Sequence, residues 1–169
     1  MPVELREFRA DREDFDAYLP LRVRALEEHP ESFGSAPEDM RNFTYEAWID
    51  LRQNPNMPAF GAFIDGDLVG TIGMNRSPRA KMRHRMDIGA MYVMPEHQGK
   101  GIGRMLLDKA IDYARTQDGV EDIVLAVTCG NNAARHLYRS AGFVSWGIDP
   151  RYIKHDGIYY DIEWMVLVL

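Results

Sequence analysis

The stretch that decides the fold runs from Met91 to Leu107 and reads MYVMPEHQGKGIGRMLL. Its first residues are apolar, as in a β-strand, and they lead into the glycine-rich turn 98–103, after which apolar residues recur at helical spacing. The first N–H groups of a helix have no partner within the helix, and the helix dipole makes that end positive. Because small residues leave these N–H groups open, the stretch predicts an anion-binding site of the kind that holds phosphate.

The glycine spacing excludes two common nucleotide-binding motifs. A Walker A loop requires G-x-x-x-x-G-K-[ST], whereas Lys100 lies between the glycines of this turn and Arg104 follows them. A dinucleotide fingerprint requires G-x-G-x-x-G, and no further glycine follows Gly103 at the required spacing. On this stretch alone, an ordinary strand-to-helix turn closed by glycines stays open as the alternative.

The composition predicts one globular domain over residues 1–169, with 46% apolar and 27% charged residues. A net charge of −6 argues against nucleic acid as the main partner. The single cysteine, Cys129, excludes an internal disulfide and fits a reducing compartment. The charged N-terminus is unlike a signal peptide, and no apolar run approaches the ~20 residues of a membrane span. We therefore expect a cytoplasmic protein without a membrane partner.

Apolar periodicity predicts the element order β-α-α-β-β-β-α-β-α-β-β, which indicates an α/β sandwich with a mixed sheet. Asp11 is expected to cap the first helix, and Pro20 is expected to kink or break it. Asp65-Gly66-Asp67 predicts a hairpin between two of the strands. The expected strands cover 3–8, 60–64, 68–72, 83–93, 123–127, 143–146 and 159–169, and the later helices cover 44–52, 102–114 and 131–140.

A second block, from Asn131 to Phe143, reads NNAARHLYRSAGF. It resembles the N-x-x-A-x-x-L-Y-x-x-x-G-F segment of the GNAT superfamily of N-acetyltransferases. The Q-x-x-G-x-G turn after the V-x-P strand end resembles the acyl-CoA signature of the same superfamily. Because both motifs stand in the correct order, the chain is identified as a member. Membership implies a three-layer sandwich with about four helices and a mixed, mostly antiparallel sheet of about seven strands.

The resemblance implies that acetyl-CoA is the acyl donor and co-substrate. The backbone of Met91, Tyr92 and Val93 would pair with the pantetheine arm along a strand that is splayed from its neighbour. Asn131 would contact the cofactor, and Tyr138 would lie near its sulfur. The residues implied around the pyrophosphate are Gln98, Gly99, Lys100, Gly101, Ile102, Gly103 and Arg104.

Acetyl transfer from a thioester to an amine needs a neutral amine, a donor to the carbonyl oxygen and a proton for the leaving thiolate. The resemblance makes Tyr138 the general acid, with packing of its helix against the sheet as the alternative. The backbone N–H of Val93 is expected to serve the carbonyl oxygen. Asp87 matches the position of the catalytic glutamate in some histone-type members, and an ion pair with Arg83 or Arg85 is the equal alternative. Weaker candidates for the base are His84, Glu96 and His97.

The resemblance also implies an acceptor pocket between the first two helices, their connecting loop and the last hairpin. Acidic and aromatic side chains there would suit a cationic amine. Burial of Trp48 in the core and solvation of the glutamates are the alternative. The residues concerned are Glu27, Glu28, Glu31, Phe33, Trp48, Tyr152, Tyr159 and Asp161. The R-x-x-A-L-x-x-x-P-x-x-F pattern from Arg22 to Phe33 is similar to that of many bacterial members, without identifying the substrate.

The expected function is transfer of the acetyl group of acetyl-CoA to a primary amine of a small molecule. Acetylation of a protein lysine or N-terminus is the alternative within the class, and an acyl-CoA sensor without turnover is the alternative outside it. The spacing of histidines and the single cysteine predicts no metal site. The basic run from Arg76 to Arg85 favours a solvated loop over a nucleic-acid site, and the apolar tail 164–169 permits a homodimer.

Overall fold

A computed structural model describes residues 2–169 as a seven-stranded sheet with four α-helices, in the predicted order. The strands are β1 (Glu4–Glu7), β2 (Ala59–Ile64), β3 (Asp67–Arg76), β4 (Arg85–Val93), β5 (Asp122–Thr128), β6 (Val144–His155) and β7 (Ile158–Val168). The helices are α1 (Arg12–Glu28), α2 (Tyr45–Gln53), α3 (Ile102–Thr116) and α4 (Asn132–Ser140). The sheet order is β1-β2-β3-β4-β5-β7-β6, and β4 with β5 is the parallel pair among these strands.

Two apolar cores lie on the two faces of the sheet and make the structure three layers deep. Alternate residues of β2 contribute to different cores, since Phe60 belongs to the core under α3 and Phe63 to the core under α1 and α2. Successive strand side chains point to opposite faces, so the helices cover both sides of the sheet. The predicted α/β sandwich with a mixed, mostly antiparallel sheet is confirmed.

Helix α1 continues through Pro20 to Glu28, so the predicted break at Pro20 is wrong. A proline in a helix removes one backbone hydrogen bond. Tertiary contacts on both sides of it compensate. Asp14 is buried and accepts bonds of 2.7 Å from the Arg6 guanidinium on β1, and Leu21 is buried beyond the proline. The helix is therefore held against the sheet on both sides of Pro20. Helix propensity alone does not predict this, because it does not include tertiary contacts.

Strand β6 is longer than predicted and lies at the edge of the sheet. Its register with β7 shifts between Asp149 and Ile153, where Arg151 has φ 59°. This bulge interrupts the alternation of apolar residues from which the strand was predicted, so the predicted strand was too short. The strand exposes Val144 and Trp146, and the homodimer stays a prediction. No helix in residues 2–169 combines the length and apolarity that crossing a membrane requires.

Candidate active site

Strands β4 and β5 pair along only half of β4, and this opens a cleft in the sheet. Residues 85–88 pair with residues 122–125, whereas the remainder of β4 has no partner on that side within the described chain. Strand β5 continues beside β7 as far as Thr128. Backbone groups in the second half of β4 therefore face an open space instead of a neighbouring strand.

A bulge at Ala90 reverses the facing of β4 at the cleft. Ala90 has φ 50°, and the register with β3 shifts at this point. Before the bulge, Met86 and Ile88 belong to the core under α3, whereas Tyr92 beyond it belongs to the core under α1 and α2. An extra residue in one strand produces this reversal. The sequence did not indicate it.

The bulge also sets which backbone groups of β4 face the cleft. The N–H of Met94 donates to the carbonyl of Val69 on β3 at 2.9 Å. In an antiparallel ladder successive residues alternate in direction, so the groups of Tyr92 face β3 and those of Met91 and Val93 face the cleft. This geometry favours Met91 and Val93 over Tyr92 as backbone partners of a ligand, while Tyr92 also lines the cavity.

The glycine turn ends in a helix terminus with free donors. Gly99 and Gly101 have φ 73° and 80°, a conformation that side chains with a Cβ rarely adopt. The N–H of Met105 makes a bond of 3.0 Å to the carbonyl of Gly101. The N–H groups of residues 102–104 precede this first turn and have no helical partner. A Cβ at Gly101 would meet no atom within 4 Å, so the backbone there is open to a ligand.

Side chains of the turn are engaged with the protein. The amide of Gln98 donates to the carbonyl of Val93 at 2.9 Å. The ammonium of Lys100 donates to the carbonyl of Glu96 at 3.0 Å and does not line the cavity. The guanidinium of Arg104 pairs with Asp108 at 2.8 Å. The backbone therefore supplies the free donors of this turn, and the predicted contact of Lys100 receives no support from its side chain.

Helix α4 places Tyr138 across the cleft from β4. Asn131 caps this helix by accepting a bond of 3.1 Å from the N–H of Ala134, and both Asn131 and Tyr138 line the cavity. The Tyr138 hydroxyl lies 3.4 Å from Sδ of Met91. Burial raises the pKa of Tyr138 to about 12. The phenol is therefore protonated at neutral pH and points at a thioether, which is a weak acceptor.

Asp87 lies on β4 and lines the same cavity. The alternative ion pair is absent from residues 2–169, because Arg85 pairs with Asp122 at 2.6 Å and Arg83 donates to Asn56 at 3.4 Å. Burial raises the pKa of Asp87, and the neighbouring Arg85 opposes the rise. A carboxylate whose pKa moves toward neutrality is a better proton acceptor at pH 7.

These residues enclose a cavity of about 880 Å³. The loop after α1 closes one side of it, since the carbonyl of Glu31 accepts a bond of 2.7 Å from the Thr128 hydroxyl at the end of β5. Side chains of Arg22, His29 and Phe33 line the wall that this loop and α1 form. Donors for an anion, a buried phenol and a carboxylate therefore share one space.

None of the acidic residues predicted for the acceptor pocket lines the cavity. Glu28 accepts a bond of 2.5 Å from the Tyr92 hydroxyl and pairs with Arg24 at 2.7 Å. Trp48 is a core residue and 1% exposed, as the alternative had it. Of the predicted set, Phe33 and Tyr152 line the cavity. Glu27, Glu28, Glu31, Trp48, Tyr159 and Asp161 do not.

The residue that sequence reasoning left without a role is Arg22. It lies on the buried face of α1 between Leu21 and Ala25. A basic residue on the apolar face of an amphipathic helix is the signal that indicates a special environment. The weaker base candidates His84, Glu96 and His97 do not line the cavity. Within residues 2–169 no group of three potential metal ligands is present.

The family model described as the acetyltransferase (GNAT) family matches residues 21–143, a span that holds both the glycine turn and α4. The chain belongs to this family. Mycothiol acetyltransferases from Thermobispora bispora and Propionibacterium freudenreichii are 33% and 34% identical to it, over 89% of this chain in both cases. The alignments cover 49% and 46% of those proteins, so the chain spans about half the length of these curated relatives.

Solved structures agree with the family. The ribosomal-protein-alanine N-acetyltransferase of Brucella melitensis has a TM-score of 0.84 and 26% identity, over 98% of this chain and 99% of that one. The putative acetyltransferase yncA of Salmonella typhimurium, solved with its cofactor acetyl-CoA, also has a TM-score of 0.84, with 25% identity over 99% and 94%. The chain thus shares the fold of these proteins, and acetyl-CoA is the cofactor named for the Salmonella protein.

Proposed function

We propose that this protein moves the acetyl group of acetyl-CoA directly to a primary amine of a small molecule, and that residues 1–169 act as one catalytic domain. The observation that carries the proposal is the single cavity in which the unpaired half of β4, the free N–H groups of the glycine turn and the buried Tyr138 meet. The relatives named mycothiol acetyltransferases support a small-molecule acceptor over a protein.

The residues present fit acetyl-CoA. The cleft-facing backbone of Met91 would hold the pantetheine arm as a neighbouring strand does. The N–H of Val93 remains for the acyl end of the ligand, because the Val93 carbonyl already accepts from the Gln98 amide. The N–H groups of residues 102–104 would hold the pyrophosphate, and the open backbone of Gly101 leaves room for it. Asn131 lies on the same wall as Tyr138. The cleft-facing groups of Met91, the Val93 N–H and the N–H groups of residues 102–104 have no strand or helical partner among the described residues. Asn131 differs, because its side chain already caps α4.

Acetyl-CoA supplies an acyl group that is activated as a thioester. We infer that the N–H of Val93 donates to the acyl oxygen and that the Tyr138 hydroxyl donates to the sulfur. Its pKa of about 12 lies above the ~8.5 of a typical thiol. We therefore infer that Tyr138 first donates a hydrogen bond to the sulfur, and that this bond strengthens as the carbon–sulfur bond breaks. Complete proton transfer to the sulfur before that point is not favoured. Overall, a neutral amine and the thioester give an amide and the CoA thiol.

The proton of the attacking amine needs an acceptor, because an alkyl ammonium with a pKa near ~10.4 has no free electron pair. We infer that Asp87 takes this proton, directly or through a water. Asp87 lines the cavity and has no ion-pair partner within residues 2–169. Its raised pKa supports the role.

Replacement of Asp87 by Asn is expected to lower kcat/KM at pH 7 about 100-fold. The native enzyme should lose activity as the pH falls through the raised pKa of Asp87, and Asp87→Asn should lack this acidic limb. Asp122→Asn is the control, because Asp122 contributes to raising the pKa of Asp87 but lies outside the cavity. It should stay active with its acidic limb at lower pH. An unchanged limb in Asp87→Asn would reject Asp87 as the base.

The proposed reaction is tested by release of the CoA thiol from acetyl-CoA with a broad panel of amines, with mass spectrometry of the acetylated product. We expect release that depends on one class of small amine. Tight binding of acetyl-CoA without release for any small amine, but with acetylated lysine in a peptide panel, would favour the protein acceptor. Binding without release in both panels would favour the sensor and contradict the proposal.

A further inference from the structure

Arg22 lines the cavity, and its guanidinium has no hydrogen-bond partner among the described residues. Arg22 is 9% exposed, and its Nη1 atom is buried with no hydrogen-bond partner anywhere in residues 2–169. The guanidinium carbon lies 4.7 Å from the ring centroid of Phe33, which covers one of its faces. Both side chains line the cavity that contains Tyr138 and Asp87. A charged fork of donors thus borders the space in which we place the reaction.

Two of the carboxylates that follow Arg22 in the chain, Glu28 and Glu31, have other partners. Glu28 is held by Arg24 and the Tyr92 hydroxyl, and Glu31 lies 3.5 Å from Nδ1 of His29. Burial lowers the pKa of Arg22, yet a guanidinium keeps its charge at neutral pH. A buried charge without a counter-charge is unfavourable in an empty site. Such a group is expected where a ligand supplies the opposite charge.

Arg52 provides a comparison within the same protein. Its Nε atom is also buried without a partner in the described residues, and its guanidinium lies 5.0 Å from the Trp48 ring. Arg52 does not line the cavity. Both arginines therefore stack on an aromatic ring, but only Arg22 of the two lines the cavity.

We propose that Arg22 binds a carboxylate of the acceptor, so that the substrate is an amine that carries a carboxylate, as an α-amino acid does. This rests on the N-acetyltransferase function proposed above. A guanidinium donates two parallel N–H bonds to a carboxylate that lies in the guanidinium plane. The Phe33 ring covers a face of the Arg22 guanidinium and does not compete for bonds in that plane. The proposal replaces the cationic acceptor, because the glutamates on which that idea depended do not line the cavity.

The test compares L-α-amino acids with their carboxamides as acceptors, since the two differ in the carboxylate. We expect the native enzyme to prefer the acid by about 100-fold in kcat/KM. Arg22→Met keeps the length of the side chain and should remove this preference, mainly by raising KM for the acid, with the amide changed less than about 3-fold. Arg22→Lys should restore part of the preference. Arg52→Met is the matched control and should keep it.

A second measurement separates failure of this inference from failure of the proposed reaction. N-acetyl-amino acids and their amides are titrated into the protein in the presence of CoA, and binding is followed by calorimetry without turnover. Binding of the acid form that Arg22→Met abolishes supports the carboxylate site even if no amine is acetylated. Amides acetylated as well as acids, or equal losses on both in Arg22→Met, would overturn the inference while the reaction stands.

Discussion

Tyr138→Phe is expected to lower kcat about 100- to 1,000-fold and to change the Kd of acetyl-CoA by less than about 3-fold. The phenol is buried, and its pKa of about 12 keeps it protonated throughout the working range. Its hydroxyl lies against Sδ of Met91. In the proposed reaction this hydroxyl donates to the leaving sulfur, so its loss should affect the chemical step more than binding. Steady-state kinetics and calorimetry measure the two quantities.

The ring of Tyr138 has a packing role that phenylalanine preserves. It contacts Phe143 with ring centroids 6.0 Å apart, and the hydroxyl bonds only weakly to a thioether. We therefore expect Tyr138→Phe to melt close to the native temperature. Tyr159→Phe is the control, because Tyr159 is exposed and lies outside the cavity. A kcat of Tyr138→Phe within about 5-fold of native would assign this tyrosine to packing alone.

The element order and the fold followed from local patterns in the sequence. Asp11 and Thr44 accept capping bonds at the starts of α1 and α2, and Gly142 has φ 99° after α4. Such signals depend on a few neighbouring residues. The wrong prediction of a break at Pro20 could not be avoided from local patterns, because the continuation of α1 depends on packing on both sides of the proline.

The sequence predicts the candidate site best where a motif sets the backbone conformation. It predicts the site less well where the partner of a side chain depends on the fold. The glycine turn and α4 meet in one cavity, whereas Lys100 folds back on Glu96. The bulge at Ala90 directs the backbone groups of Tyr92 away from the cleft. The sequence does not predict this bulge, because no residue type is specific to such a position. Arg22 was visible as a charge on an apolar face, but its lack of a partner depends on the fold.

Gly101→Asp is expected to raise the Kd of acetyl-CoA about 100-fold, whereas Gly101→Asn should raise it less than about 10-fold. Gly101 has φ 80°, which Asp and Asn tolerate about equally, and a Cβ there meets no atom of the described residues within 4 Å. The two variants therefore share backbone strain and size. They differ in the carboxylate, which would oppose a phosphate at the start of α3. Calorimetry with acetyl-CoA measures both constants.

The expected effect of Gly101→Asp depends on the phosphates of the ligand, and this gives a sharper comparison. The thioester of N-acetylcysteamine carries the acetyl group without phosphates, so native protein and Gly101→Asp should use it with similar kcat/KM. Added salt should narrow the difference in acetyl-CoA affinity between the Asp and Asn variants, because it screens exposed charges. Gly66→Asp is the control at a remote turn with φ 91°. Equal affinities in Gly101→Asp and Gly101→Asn would show that the turn does not hold the pyrophosphate, because a carboxylate beside a bound anion in this open position cannot be neutral in its effect.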